Sequence, residues 1–262
     1  MVLTNGVLLD SSRIDFFRKH PPCEIQVTLY GSDEDAYQRV TGRRMFRQVW
    51  EHIRLADAAE LPITLAITPS RFMEEDADAL LTLAQESGLS YSINTGIFDP
   101  RENTGRSGQS LDASPEVYLH LYKRHRAFRG VEVVPVQECD LPMPGAAGEP
   151  RRGIRCAAGN GMFEINWMGT MFACTNLRSI HAEPLKTGFA PAWDSIRHQA
   201  QAYLIPAECD GCAYADICVS CPAAHEQNGS AAHCNPYYCQ RIRRMVAEGI
   251  NRLPEDVSPL RG

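Results

Sequence analysis

Two hydrophobic rhythms alternate along the first half of the chain. Residues 24–30 alternate, with Ile25, Val27 and Leu29 on one face and Gly31 ending the run; this is the period-2 pattern of a half-buried strand. Phe46, Val49, Trp50 and Ile53 then recur at i, i+3, i+4 and i+7, one stripe of a helix. Residues 61–68 predict a second strand of this kind, stopped by Pro69. Residues 74–87 predict a helix with Leu80, Leu81 and Ala84 inward, closed by Gly88, and residues 89–97 another strand. Upstream, residues 2–6 read as a short strand ending in a turn. A helix follows, capped by Ser11 or Ser12, using Ile14, Phe16 and Phe17 and halted by Pro21 and Pro22. Ser114, Pro115 and Glu116 supply a capping serine, a first-turn proline and an acid, opening a helix that runs to about Phe128.

Strands alternating with helices imply a parallel sheet with right-handed crossovers, hence an α/β fold of barrel or partial-barrel type. Four such units are few for closure, and nothing in the sequence precedes the strand at residues 2–6 to cover its edge. An uncovered apolar edge invites pairing between chains, so an oligomeric or poorly soluble product is expected. The rhythm then fades. Residues 131–136 offer one more strand, and residues 141–152 are rich in Pro, Gly and Ala, which places a domain boundary there, dividing the chain into 1–140 and 141–262. Beyond it, Met162, Phe163, Glu164, Ile165, Asn166 and Trp167 form an alternating run, and Met168, Gly169 and Thr170 form the turn of a hairpin that ends at Cys174. Hairpin packing is the simplest role for Met162, Phe163, Ile165 and Trp167. Residues 240–250 predict a last, basic helix.

Composition narrows the function. The chain has 262 residues, 44% hydrophobic and 22% charged, with a formal net charge of −6, within the range of an ordinary globular protein. No basic block makes a case for nucleic acid, and no apolar run approaches the roughly 20 residues that cross a bilayer. The N-terminus is too short and too polar in its flanks for a signal peptide. Without an export signal, ten cysteines argue for metal ligation in a reducing, cytoplasmic setting rather than for a disulfide framework.

Six of those ten cysteines lie between residues 209 and 239. Cys209-x2-Cys212-x5-Cys218-x2-Cys221, with Cys234 and Cys239 close behind, is too dense for core packing, where a cysteine usually comes alone, and points to ligands of a soft metal. A second pair lies upstream as Cys156-x12-Gly169-x4-Cys174. A structural zinc site is the plain alternative, because C-x2-C pairs also build zinc ribbons. Cys23 reads as an ordinary thiol, and Cys139 is balanced between thiol and ligand. No two histidines have ligand spacing; His225 and His233 lie inside the cysteine module and act at most behind the ligands. Arg101 and Arg106 flank a polar loop whose simplest reading is solvated.

These spacings resemble the radical SAM enzymes that carry a C-terminal SPASM domain, among them the anaerobic sulfatase-maturating enzymes and peptide maturases. Cys156-x12-Gly169-x4-Cys174 is similar to the first half of the SPASM pattern. Cys209-x2-Cys212-x5-Cys218 and Cys239 are similar to the second half, and Cys218 to Cys221 departs from it by one residue. Thr4-Asn5-Gly6 resembles the turn after the third barrel strand, and Thr28-Leu29-Tyr30-Gly31 the turn after the fourth, whose first residue helps to hold the cofactor. The resemblance implies a partial radical SAM (β/α) barrel without its first two strands, followed by a small SPASM domain with a hairpin. It implies two auxiliary [4Fe–4S] clusters: Cys209, Cys212, Cys218 and Cys239 on the outer one; Cys156, Cys174 and Cys221 on the inner one. The fourth inner position is left to Cys234, to Cys139 or to a substrate atom. Asn5 and Thr28 become the cofactor-side candidates.

The family's C-x3-C-x2-C motif is missing from the sequence, as is its Gly-Gly-Glu turn. A truncated sequence is therefore expected, one that does not cleave S-adenosylmethionine as it stands. A complete enzyme would use S-adenosylmethionine, a peptide or protein substrate and an electron donor. The competing readings are an iron–sulfur electron-transfer or binding module without its own catalysis, and a zinc-stabilised interaction domain.

Overall fold

The structure is a computed structural model, and it describes residues 1–94, 96–97, 111–133, 153–206, 209, 212–214, 217–218, 221–227 and 236–252. The chain divides into two compact units, Met1–Glu132 and Val133–Gly262. The boundary expected at 140/141 lies outside the described residues.

The first unit is built on a four-stranded parallel sheet in the order β1 (Val2–Thr4), β2 (Ile25–Leu29), β3 (Ile63–Ile67), β4 (Ser90–Ile93). Between the strands run α1 (Ser11–Lys19), α2 (Glu34–Thr41), α3 (Phe46–Ala58) and α4 (Ala77–Glu86), with α5 (Pro115–Phe128) after the last. Spatial order equal to chain order is the signature of a barrel-type sheet, not a doubly wound one. Alternation sorts the two faces of the sheet. Ile25, Val27 and Leu29 stand opposite Ile63, Leu65 and Ile67. All are buried in one apolar cluster with Val49, Ile53 and Ala56 of α3 and Leu80, Leu81 and Ala84 of α4. Each such aliphatic side chain contributes about 1.5–3 kcal/mol on full burial. The other face carries Leu3, Gln26, Thr28, Thr64, Ala66 and Ser92, which pair across the strands as Leu3 with Gln26, Gln26 with Thr64, Thr28 with Ala66 and Ala66 with Ser92. That face is small and polar, the opposite of the helix-covered one.

Turns at the C-terminal ends of the strands are held by named contacts. At Gly31 an added Cβ would lie 2.5 Å from the backbone N of Tyr37 and 2.7 Å from the carbonyl carbon of Ala36, so no side chain fits there. Ser32 next to it donates its N–H to Asp76 at 2.7 Å and its hydroxyl to the same carboxylate at 2.5 Å. The loops after β2 and β3 are thereby tied together through a buried acid. Gly6, at φ +76°, sits so close to Val27 and Val49 that a side chain would clash.

Several local expectations are corrected. The cap of α1 is Asp10, not Ser11 or Ser12: its carboxylate accepts the Arg13 N–H at 3.1 Å and pairs with the Arg13 guanidinium at 2.7 Å. Phe16 of α1 is exposed while Ile14 is buried. Ser114 occupies the cap position of α5 but makes no side-chain cap bond; its N–H goes instead to Glu74 at 2.6 Å. The short helix α2, capped by Asp33, was not anticipated. Residues 131–133 of the expected strand at 131–136 are not in a strand, and the rest lie outside the described residues.

The second unit holds a three-stranded antiparallel sheet, β5 (Glu164–Ile165), β6 (Met171–Cys174) and β7 (Leu177–Ala182). Helices α6 (Pro184–Thr187), α7 (Phe189–Ala202), α8 (Pro222–Gln227) and α9 (Pro236–Ala247) complete it. The expected turn at residues 168–170 is present: Gly169 takes φ +81°, and Asn166 Oδ1 accepts the N–H groups of Met168 and Thr170, each at 3.0 Å. The third strand, β7, was not foreseen. Trp167, expected to pack within the hairpin, is 80% exposed. Helix α7 packs across β6 and β7. Gly159 at φ +67° brings the loop around Cys156 against Ala200 of that helix, where a Cβ would stand 2.6 Å away.

Candidate metal centre

The cysteines of the second unit reach their places from different elements. Cys156 belongs to a tight turn in which Gly161 and Met162 return their N–H groups to the Ala157 carbonyl at 2.8 and 2.9 Å, and Asn160 Nδ2 donates to the Cys156 carbonyl at 3.0 Å. Cys174 ends β6, beside an irregularity in the β6–β7 register. Cys221 immediately precedes α8, so the first N–H groups of that helix, from Ala223 and Ala224, donate to its sulfur. A helix N-terminus favours negative charge, and here it meets a thiol. Burial pushes the Cys221 thiol up from its ordinary value, those two N–H groups pull it back, and the charges of Cys156 and Cys174 push it up again.

A second set gathers around Tyr214. Cys212 donates its N–H to the Cys209 carbonyl at 3.4 Å, and Cys218 and Ile217 donate theirs to the Tyr214 carbonyl at 2.8 and 3.1 Å. Burial raises the Tyr214 phenol, a hydrogen bond with Arg243 lowers it, and Cys212 and Cys239 raise it through their charge. Cys239 lies on α9, and Arg243 follows one turn later.

All eight described cysteines are free thiols. Among the described residues, no three His, Cys, Asp or Glu side chains are grouped so as to hold one metal ion. Cys139, Cys234, His233, Arg101 and Arg106 lie outside the described residues. Cys23 is exposed, 3.2 Å from the N-terminal ammonium. His225 is buried on α8, its N–H donating to the Cys221 carbonyl at 3.1 Å, and burial lowers its pKa. Tyr203 is pushed up to about 12 by burial, with the charges of Glu226 and Cys221 adding to it.

The cofactor-side candidates are on the first unit. Thr28 is half-buried on the polar face of β2, opposite Ala66. Asn5 is exposed just past β1 and closes its own turn by accepting the Val7 N–H at 3.1 Å. Thr4 pairs with Val27, so Asn5 and Thr28 stand at the same end of adjacent strands. Sequence reasoning passed over Tyr214 and Arg243; the available signal was the four-residue interval from Cys239 to Arg243, which places both on one helical face.

With this geometry in hand, the fold can be compared with solved structures. Native anSMEcpe, a radical SAM/SPASM anaerobic sulfatase maturase solved with bound AdoMet and the Kp18Cys peptide, superposes with a TM-score of 0.64 at 13% identity, over 94% of this chain and 72% of that one. A hexahistidine-tagged form of anSMEcpe with bound AdoMet superposes with a TM-score of 0.62 at 12% identity, over 97% of this chain and 72% of that one. The fold is the one these maturase chains carry. No family model and no curated protein matches the sequence. Among the described residues, no helix is long and apolar enough to cross a membrane.

Proposed function

We propose that this chain is the auxiliary-cluster portion of a radical SAM/SPASM maturase that acts on a peptide or protein. In this reading Cys209, Cys212, Cys218 and Cys239 hold one [4Fe–4S] cluster. Cys156, Cys174 and Cys221 hold a second, its remaining position filled by Cys139, by Cys234 or by a substrate atom. The observation that carries the reading is the likeness in fold to a radical SAM/SPASM maturase, taken together with the spacing of Cys156 to Cys174 and of Cys209 to Cys239.

The donors suit the group. Soft thiolates select iron–sulfur clusters or zinc. Clustered thiolates call for a compensating cation, and N–H groups aimed at sulfur are among the features that set cluster potentials. A cubane binds each thiolate through a different iron, so its ligands stand farther apart than those around one ion. When bound, such clusters supply one-electron transfer. The protein's part is to position sulfur: α8 presents its first N–H groups to Cys221, and the Cys156 turn is braced by Asn160. The polar strand face with Thr28, and Asn5 beyond β1, form the side on which S-adenosylmethionine would sit in a complete enzyme. The likeness to a maturase solved with a bound peptide supports a peptide-type substrate. The 262 residues contain no C-x3-C-x2-C run, and no cleavage of S-adenosylmethionine is assigned to them.

The test is anaerobic purification followed by iron, sulfide and zinc analysis. A brown protein with iron and sulfide for two clusters is expected. Cys212→Ser and Cys221→Ser should each lose about half of the iron, and the double variant nearly all of it. A colourless protein with stoichiometric zinc would end the iron–sulfur reading. Incubation with S-adenosylmethionine and a strong reductant should yield no 5′-deoxyadenosine; its formation would overturn the assignment of these residues to an auxiliary role alone.

A further inference from the structure

The turn that joins α4 to β4 is short and closed on itself. Ser87 donates its hydroxyl to the Ala84 carbonyl at 2.7 Å and accepts the Leu89 N–H at 3.2 Å. Gln85, on the last turn of α4, thereby comes beside Tyr91 on β4. Gln85 Nε2 lies 3.2 Å from the Tyr91 hydroxyl, and that hydroxyl lies 2.8 Å from Nδ1 of His125 on α5. The His125 ring also stands edge-on to the Tyr91 ring, with centroids 5.2 Å apart. Donor chemistry gives this chain a direction. An amide nitrogen only donates, so the Tyr91 oxygen accepts from Gln85. The Tyr91 proton then has Nδ1 of His125 as its acceptor, which makes Nδ1 the bare nitrogen of the neutral ring and Nε2 the protonated one.

We propose that Gln85, Tyr91 and His125 form a one-way hydrogen-bond chain that latches the last turn of α5 to β4 while His125 is neutral, and that protonation of His125 forces the chain to reverse or part, loosening that turn. A protonated imidazole donates from both nitrogens. Tyr91 would then face two donors, and its own proton would lose its taker unless Gln85 turned its amide to offer Oε1. The surroundings resist the charge. On α5 itself the cations Arg126 and Arg129 act on the ring, while α4 and β4 present it with the neutral Gln85 and Tyr91. Burial lowers the His125 pKa, and the charges of Arg129 and Arg126 lower it further. The latch's stabilisation is therefore complete above the ordinary value of 6.5 and declines as pH falls from there to the lower folded value. Helix α5 is the last element of the first unit. Its end is held by the N–H groups of Arg129, Gly130 and Val131, bonded to the carbonyls of His125, Ala127 and Arg126 at 3.1, 3.0 and 2.9 Å. The latch thus governs the turn from which the chain leaves that unit, whichever metal the second unit takes.

The test uses the full 262-residue chain, isotopically labelled, with ring-nitrogen magnetic resonance of the histidines followed from neutral to mildly acid pH. His125→Gln identifies the resonance among the eight histidines. The parent should carry its neutral-state proton on Nε2. Tyr91→Phe should abolish that preference and make His125 easier to protonate. Gln85→Glu, whose carboxylate takes the Tyr91 proton and turns the chain around, should move the neutral-state proton to Nδ1, which added charge alone would not do. Exchange of the Arg129, Gly130 and Val131 amides, corrected for intrinsic rate, should quicken in acid by about three- to tenfold, the worth of one net hydrogen bond. In Tyr91→Phe it should be fast at both pH values. A proton on Nδ1 in the parent overturns the proposal, as does exchange at these amides that acid leaves unchanged. A tautomer that Tyr91→Phe leaves in place does the same. Should Tyr91→Phe fail to fold, Gln85→Glu decides: a proton moved to Nδ1 supports the latch, and one that stays on Nε2 overturns it.

Discussion

In the first unit Tyr37, Tyr118, Ile25, Leu29, Ile53, Leu65, Ile67, Leu80, Leu81 and Leu121 are fully buried; in the second unit Met171, Leu177 and Ile196 are. Both units leave large apolar side chains outside, Leu3, Leu8 and Phe16 in the first and Trp167, Met168, Leu185 and Phe189 in the second, but the second also carries seven of the eight described cysteines, all of them half-buried. One region draws its order from apolar burial, which needs no partner. On the iron–sulfur reading proposed above, the other would draw part of its order from ligation of its thiolates. That reading makes the stability of the first unit intrinsic and that of the second conditional on its clusters.

Removing iron should break the comparison most sharply. Hydrogen exchange on the loaded and stripped chain should show protection lost across α8 and α9 and kept in β2 and β3; equal protection in the two states would refute conditional stability. Next, Leu65→Ala should destabilise the first unit by about 2–5 kcal/mol, the usual cost of emptying a buried leucine site, without changing iron per chain. Urea titration and iron analysis of the same sample check both halves of that statement. Gly31→Ala should cost about 1–3 kcal/mol, because the added methyl meets backbone that cannot swing aside. The urea midpoint of the first unit reads that loss.

The smallest effect sharpens rather than breaks the contrast. Asp78 joins α4 to α5 through Arg124 at 2.6 Å and His120 at 2.8 Å. Burial raises its pKa, but the hydrogen bonds from Arg124 and His120 outweigh that and hold it below its ordinary 3.8. A lowered carboxylate contributes stability above its unfolded value and loses it as pH falls through the folded one. Asp78→Asn should therefore cost no more than ~1 kcal/mol at neutral pH, since the pair is largely exposed, and nothing once the acid is protonated. Urea midpoints of the variant and parent, compared at neutral and strongly acid pH, check both the size and the sign.

The first unit was largely legible because its signals are periodic. Val27 and Leu65 announce buried strand faces, and Val49 and Ile53 a helix, through spacing alone. What escaped was local competition for hydrogen bonds. Asp10 outcompeted Ser11 and Ser12 for the cap of α1 because its carboxylate also pairs with Arg13. Ser114 kept its position but gave its N–H to Glu74, a residue far away in sequence. In the second unit the cysteine spacing drew attention to the thiols but did not announce β7, α6, α7 or α8, whose short apolar runs carry no clean period. The partners of the thiols were hidden for the same reason. Ala223 and Ala224 act through backbone N–H groups, which no residue type announces, and Tyr214 finds Arg243 only after the chain has folded.

The exposed indole at residue 167 gives the hairpin turn a property of its own. Of the chain's three tryptophans, Trp50 and Trp193 each lie against another aromatic ring, while Trp167 stands 80% open to water. Its emission should sit at the red end of the tryptophan range and be the first extinguished by a soluble quencher. A blue shift on adding a peptide would then mark the moment that turn is covered.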